Sequence, residues 1–131
     1  MENKKAALSD AEWKIMKLLW KRSPLSCRQI EDALKEETGW TRHDIFSFLK
    51  RMEAKDALRR EDANPQLYYP LLDYYEAVTG ETRSFVGKLW NGNLGLMFST
   101  MIKNEQLDEE EINELMKALQ AAKKSKEGGQ E

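Results

Sequence analysis

The sequence predicts a mainly α-helical chain with one small β-hairpin: an N-terminal winged helix-turn-helix over residues 1–72, a second domain of three helices over 73–124, and a flexible tail over 125–131. Two observations carry this reading. Ser9-Asp-Ala-Glu12, Ser26-Cys-Arg-Gln29 and Thr41-Arg-His-Asp44 each set a hydroxyl three residues ahead of an acceptor, as a helix start requires, and an apolar stripe follows each one. Past Lys55 the apolar period then shortens from 3.6 toward 2 across two short runs, and past Leu72 it becomes helical again.

The first helix carries Trp13, Ile15, Met16, Leu19 and Trp20 and should run from about Asp10 to Lys21, where Ser23-Pro24 stops it. Pro24-Leu25 reads as a short extended link. A second helix opens after Ser26, bears Ile30, Ala33 and Leu34, and ends at Thr38-Gly39. Thr41 to Lys55 is the third helix. Its apolar residues Ile45, Phe48, Leu49 and Met52 form one stripe, Trp40 precedes it as a core residue, and the opposite face carries Arg42, His43, Phe46, Ser47 and Lys50, with Arg51 at the edge. Ala57–Glu61 and Gln66–Leu71 are strand-like and flank the turn-forming Asp62-Ala-Asn-Pro65. A hairpin directly after a third helix is the mark of a wing.

The second domain is greasier than its length warrants. Asp73 to Trp90 carries Tyr74, Ala77, Val78, Phe85, Val86, Leu89 and Trp90; Asn91-Gly92-Asn93 breaks it, and Leu94 to Ile102 is almost wholly apolar. The last helix starts with Asp108 as cap, Glu111 as its partner and a Leu107–Ile112 staple, then shows a stripe of Ile112, Leu115, Met116 and Leu119. Glu109 to Glu111 lie in a first turn, where the helix dipole favours carboxylates, so they read as structural acids. Lys123 to Glu131 reads as frayed. Three helices cannot hide this much apolar surface alone, so a symmetric homodimer is expected, with Phe85, Leu89, Trp90, Leu96, Phe98, Met101, Ile112, Leu115 and Leu119 in its interface.

Composition narrows the function. With 131 residues, 40% apolar and 34% charged, the chain suits one compact domain or two small ones. No apolar run approaches the roughly 20 residues of a membrane span and the polar start lacks a signal-peptide core, so a cytoplasmic, non-membrane protein is expected. One cysteine, Cys27, and one histidine leave neither a disulfide nor a metal cluster, and Cys27 reads as an inert buried thiol. No Gly-rich phosphate loop and no nucleophile–base set is present, so no enzyme, catalytic residue, cofactor or metal is expected. The net charge of −2 divides unevenly: residues 1–72 hold 14 Lys+Arg against 12 Asp+Glu, and residues 73–131 hold 7 against 11.

Positive charge gathers at the third helix and the hairpin, where Arg42, Lys50, Arg51, Lys55, Arg59 and Arg60 stand against Asp44, Glu53 and Asp56. A helix with one greasy side and one side of donors and cations suits the DNA major groove. Double-stranded DNA is therefore the expected partner. Thr41 starts the reading helix, Arg42, His43, Phe46 and Ser47 face base edges, Lys50 and Arg51 reach phosphates or a guanine, and Arg59, Arg60 and Asn64 serve the wing. Arg51 has a second role open to it, bracing Glu53 or another carboxylate. The rival reading is a winged-helix adaptor that binds protein, which Asp44, Asp56 and Phe46 favour.

Leu8-Ser-Asp-Ala-Glu-Trp13 with Leu19-Trp20, Leu49-Lys-Arg-Met52 with Ala57-Leu58, Tyr69-Pro70, and Leu107 with Glu114-Leu115 together resemble the penicillinase repressor family from Leu8 to about Leu119. The resemblance implies a winged-helix DNA-binding domain, a helical dimerisation domain, and repression at a dyad operator. It also implies a membrane-bound sensor or protease as regulatory partner, although the Asn-Phe pair cleaved in better-known members aligns with Thr100-Met101 and is not matched. The cysteine pairs of the family's copper-responsive members are absent. Asp44 and Phe46 stand where relatives place Thr and a basic residue, and Asp56 where a glycine is usual.

Overall fold

The computed structural model describes residues 7–104 and 107–128. Among these are six helices and a three-stranded sheet, in the order α1 (Asp10–Lys21), β1 (Leu25–Ser26), α2 (Cys27–Thr38), α3 (Arg42–Ala54), β2 (Leu58–Glu61), β3 (Leu67–Pro70), α4 (Tyr74–Trp90), α5 (Leu94–Lys103) and α6 (Glu109–Gly128). The N-terminal part is a winged helix. Its three helices begin where the sequence placed them, and each capping box closes in both directions: Ser9 with Glu12, Ser26 with Gln29, Thr41 with Asp44. Gly39 closes α2 in the left-handed conformation at φ 71°, which glycine adopts without steric cost.

One core ties helices to sheet. Ile15, Met16 and Leu19 of α1 meet Ile30 and Leu34 of α2, Ile45, Leu49 and Met52 of α3, and Leu58 and Tyr68 of the strands, all buried. Each large side chain of this kind contributes about 1.5–3 kcal/mol by leaving water. Trp40 and Phe48 pack at the edge with ring centroids 4.9 Å apart, so Trp40 does serve the core. Trp20 donates its indole N–H to the Leu72 carbonyl at 2.9 Å and meets Tyr74 edge to face at 5.2 Å, which fastens the exit of the wing to α1.

The strands differ from the sequence reading in two respects. The Pro24-Leu25 link is not merely extended, because Leu25 and Ser26 pair antiparallel with Tyr68 and Leu67, and the sheet order is β1-β3-β2. Ala57, expected in the first strand, instead accepts two hydrogen bonds on its carbonyl, from the amides of Leu71 (2.9 Å) and Leu72 (3.0 Å).

The chain divides into two compact units between Glu81 and Thr82, within α4 rather than before it. In the second unit Asn91 and Gly92 turn with positive φ of 51° and 79°, and Asn93 caps α5 by accepting from the Leu96 amide at 2.9 Å. Asp108 and Glu111 close a capping box at the start of α6. That helix continues to Gly128, so the tail expected over 125–131 is helical in its first four residues; residues 129–131 lie outside the described part. Gln120 to Lys124 lead into this stretch, and Lys126 and Glu127 within it are good helix formers, so the helix propagates at little cost. Val86 is the one buried residue described in this unit, and α5 and α6 have none. No described helix is long and apolar enough to cross a membrane.

Candidate nucleic-acid interface

The first turn of α3, the first turn of α2 and the tip of the hairpin enclose a groove of about 820 Å³. Arg42, His43 and Phe46 line it from α3, Ser26, Cys27 and Arg28 from the start of α2, and Ala63 to Gln66 with Tyr68 from the wing. Of the residues expected to contact DNA, the fold thus gathers Arg42, His43, Phe46 and Asn64 around one space. Ser47, Lys50, Arg51, Arg59 and Arg60 lie outside it. Thr41 is occupied within its helix: its hydroxyl accepts from the Asp44 amide at 3.1 Å and its own amide donates to Asp44 Oδ2 at 2.9 Å. The Thr41 amide above all, bonded to the carboxylate, holds the Asp44 carboxyl below its ordinary range, and the charge answers the helix rather than an incoming phosphate.

The cations fall into two sets. Arg42 donates from Nε to Glu31 Oε1 at 3.0 Å and remains mostly exposed. Arg60 faces Glu53, at 3.5 Å from Nε, and Asp62. Arg51 has its Nε 3.6 Å from Oε2 of Glu12 and its guanidinium 5.2 Å from the Phe48 ring, so the bracing role joins it to Glu12 while Glu53 serves Arg60. In contrast, Lys50 is exposed with its ammonium 5.7 Å from the ring of Phe46, itself 44% exposed. Arg59 stacks over Tyr69 at 4.0 Å, and the Tyr69 hydroxyl donates to Glu61 at 2.7 Å. Lys50 and Arg59 therefore keep most of their charge for an external anion, whereas Arg51 and Arg60 share theirs with carboxylates.

Three residues of this region escaped the sequence reading. Arg28 and Gln66 enter the groove because α2 and the wing approach α3 in space, and Glu31 meets Arg42 across the turn between two helices. A signal for Arg28 was present, since it follows the Ser26 cap on the exposed first turn of α2. Cys27 is partly buried, and burial pushes its thiol pKa up, which accords with an inert thiol.

The profile of the penicillinase repressor family matches residues 8–121. The chain belongs to that family. Like other penicillinase repressor family members, it shares most of its length with curated relatives. It is 32% identical to the penicillinase repressor of Bacillus licheniformis over 91% of this chain and 94% of that one. It is 25% identical to the methicillin resistance regulatory protein MecI of Staphylococcus aureus, over 91% and 98%. Among solved structures it matches the DNA-binding domain of the repressor BlaI, with 28% identity and a TM-score of 0.49 over 56% of this chain and 90% of that one. Set against the pattern of the penicillinase repressor family, Asp56 has a plain physical account. It sits at φ 62°, in the left-handed region where glycine is the usual choice, and Asp is one of the few side chains that tolerates it.

Proposed function

We propose that this chain is a homodimeric transcriptional repressor that occupies a dyad-symmetric DNA operator and performs no catalysis. The observation that carries the reading is the groove where Arg42, His43 and Phe46 of α3 face Asn64 of the wing, on a chain of the penicillinase repressor family. Arginine and asparagine offer donors to purine edges and Phe46 an apolar contact for a thymine methyl. Lys50 and Arg59 supply sequence-independent contacts to phosphate. Support for a pair of copies comes from the second unit, where Phe85, Leu89, Leu96 and Leu119 stand about half exposed or more; a second copy is the simplest cover and places two reading heads on one duplex.

Full-length protein should bind duplexes containing an inverted repeat as two copies per duplex, with affinity falling steeply between low and moderate salt. Indifference to duplex DNA at low ionic strength overturns the reading. The exposed Phe46 and the partial neutralisation of Arg51 and Arg60 favour one alternative, an adaptor that uses α3 to bind protein; it predicts no DNA binding and no salt slope. Lys50→Ala should weaken binding to all sequences alike and lower the salt slope by about one unit, the share of a single phosphate contact.

The regulatory partner implied by family resemblance, a sensor or protease, acts in this reading on the helical unit. Thr100 and Met101 lie half-buried within α5, and the Thr100 hydroxyl donates to the Leu96 carbonyl at 2.8 Å. Helical backbone resists a protease cleft, so release by a signal other than cutting at this pair is favoured.

A further inference from the structure

Arg42 is the first residue of α3, at the end that helix-turn-helix proteins direct at base edges. Its Nε is held by Glu31 Oε1 at 3.0 Å; Glu31 lies on α2 with its side chain 21% exposed, while the Arg42 side chain is 59% exposed. A guanidinium is planar and carries five donors in a fixed fork. With the Nε edge occupied, the terminal nitrogens remain, and their spacing matches the N7 and O6 acceptors of guanine, the commonest specific contact in the major groove. Arg51 and Arg60 are also paired, but neither lines the groove. Among the described residues, Arg42 alone combines a carboxylate on its Nε with a place in that space.

We propose that Glu31 is a positioning residue that aims Arg42 at the N7/O6 edge of a guanine, so that this pair sets one base of each half-site. The proposal rests on the DNA-binding reading above. It also has an electrostatic side. Because Glu31 offsets the charge of Arg42, the pair adds selectivity while adding little to general attraction for phosphate.

The test uses full-length protein and a duplex recovered by selection from a random-sequence pool, remade with 7-deazaguanine, which lacks the N7 acceptor, at each guanine in turn. One guanine per half-site should prove sensitive, its replacement weakening wild-type binding about tenfold and weakening Arg42→Ala, which has no donor for N7, little. Glu31→Ala and Glu31→Gln change charge identically, but only glutamine keeps an acceptor for Nε. Both should bind random duplex at least as tightly as wild type. Glu31→Ala should lose the guanine preference, and Glu31→Gln should recover part of it. Wild-type insensitivity to every 7-deazaguanine sinks the proposal. So does a Glu31→Ala protein that keeps its preference, or one that weakens on all duplexes alike with a lowered melting temperature, the mark of a simple brace between α2 and α3. Failure of wild type to select any duplex sinks the DNA-binding reading itself, which tells the two failures apart.

Discussion

Glu12 is 1% exposed and serves two elements at once. Its Oε1 accepts from the Ser9 amide at 2.9 Å, completing the cap of α1, and from the Lys55 ammonium at the far end of α3; Oε2 faces Arg51. Burial by itself raises the carboxyl pKa, but the Lys55 and Ser9 hydrogen bonds together with the Lys55 and Arg51 charges outweigh it, so the folded value lies below the ordinary one. The linkage follows from that sign. A depressed carboxyl adds stability that is present above the unfolded value and disappears as pH falls through the folded one. Glu12→Gln keeps an acceptor for the cap and removes only the charge. It should cost about 2–3 kcal/mol at neutral pH, since it takes the counter-charge from a largely buried ammonium, and urea unfolding should show the gap to wild type closing as pH drops below the carboxylate range. The sequence displayed half of this residue: Ser9-Asp-Ala-Glu12 named its capping role, but nothing local ties it to a lysine 43 positions away.

At the scale of elements, helices were legible because their starts are written in contiguous residues. Ser9, Ser26 and Thr41 need only a partner three positions on, and the bonds formed as spacing required. The strand Leu25–Ser26 was not legible, since two residues show no alternation and its partner lies some forty positions downstream. The groove divides the same way: Arg42, His43 and Phe46 follow from the period of α3, whereas the entry of Arg28 and Gln66, and the pairing of Arg42 with Glu31, depend on how elements meet. Asp56 marks the passage from α3 to the wing, and an added Cβ there is a burden in the left-handed region. Asp56→Gly should raise stability by about 0.5–1 kcal/mol and Asp56→Val should lower it by more. Thermal unfolding of the two variants, side by side, measures the effect.

For the whole molecule, the two units differ in how they hold together. The first has a continuous buried core, while the second buries Val86 alone among its described residues and leaves Leu89 58% and Leu119 60% exposed. The sequence conveyed this surplus of apolar side chains, but a single copy does not display their partner. Leu119→Glu places a charge on the apolar stripe of α6 and should shift sedimentation toward one copy, reduce affinity for a two-site duplex, and leave the weaker binding to a single half-site unchanged.

Ser26 belongs to two structures, as the last residue of β1, paired with Leu67, and as the cap of α2, whose amide at Gln29 it accepts. The loop end of the hairpin is thereby tied to the residue that starts a helix of the reading head. Grafts should respect that seam. Residues 62–66 lie beyond the paired stretch and can be exchanged for the loops of other wings without disturbing α2, whereas trimming the ladder at Leu67 or Tyr68 unfastens the helix along with the hairpin.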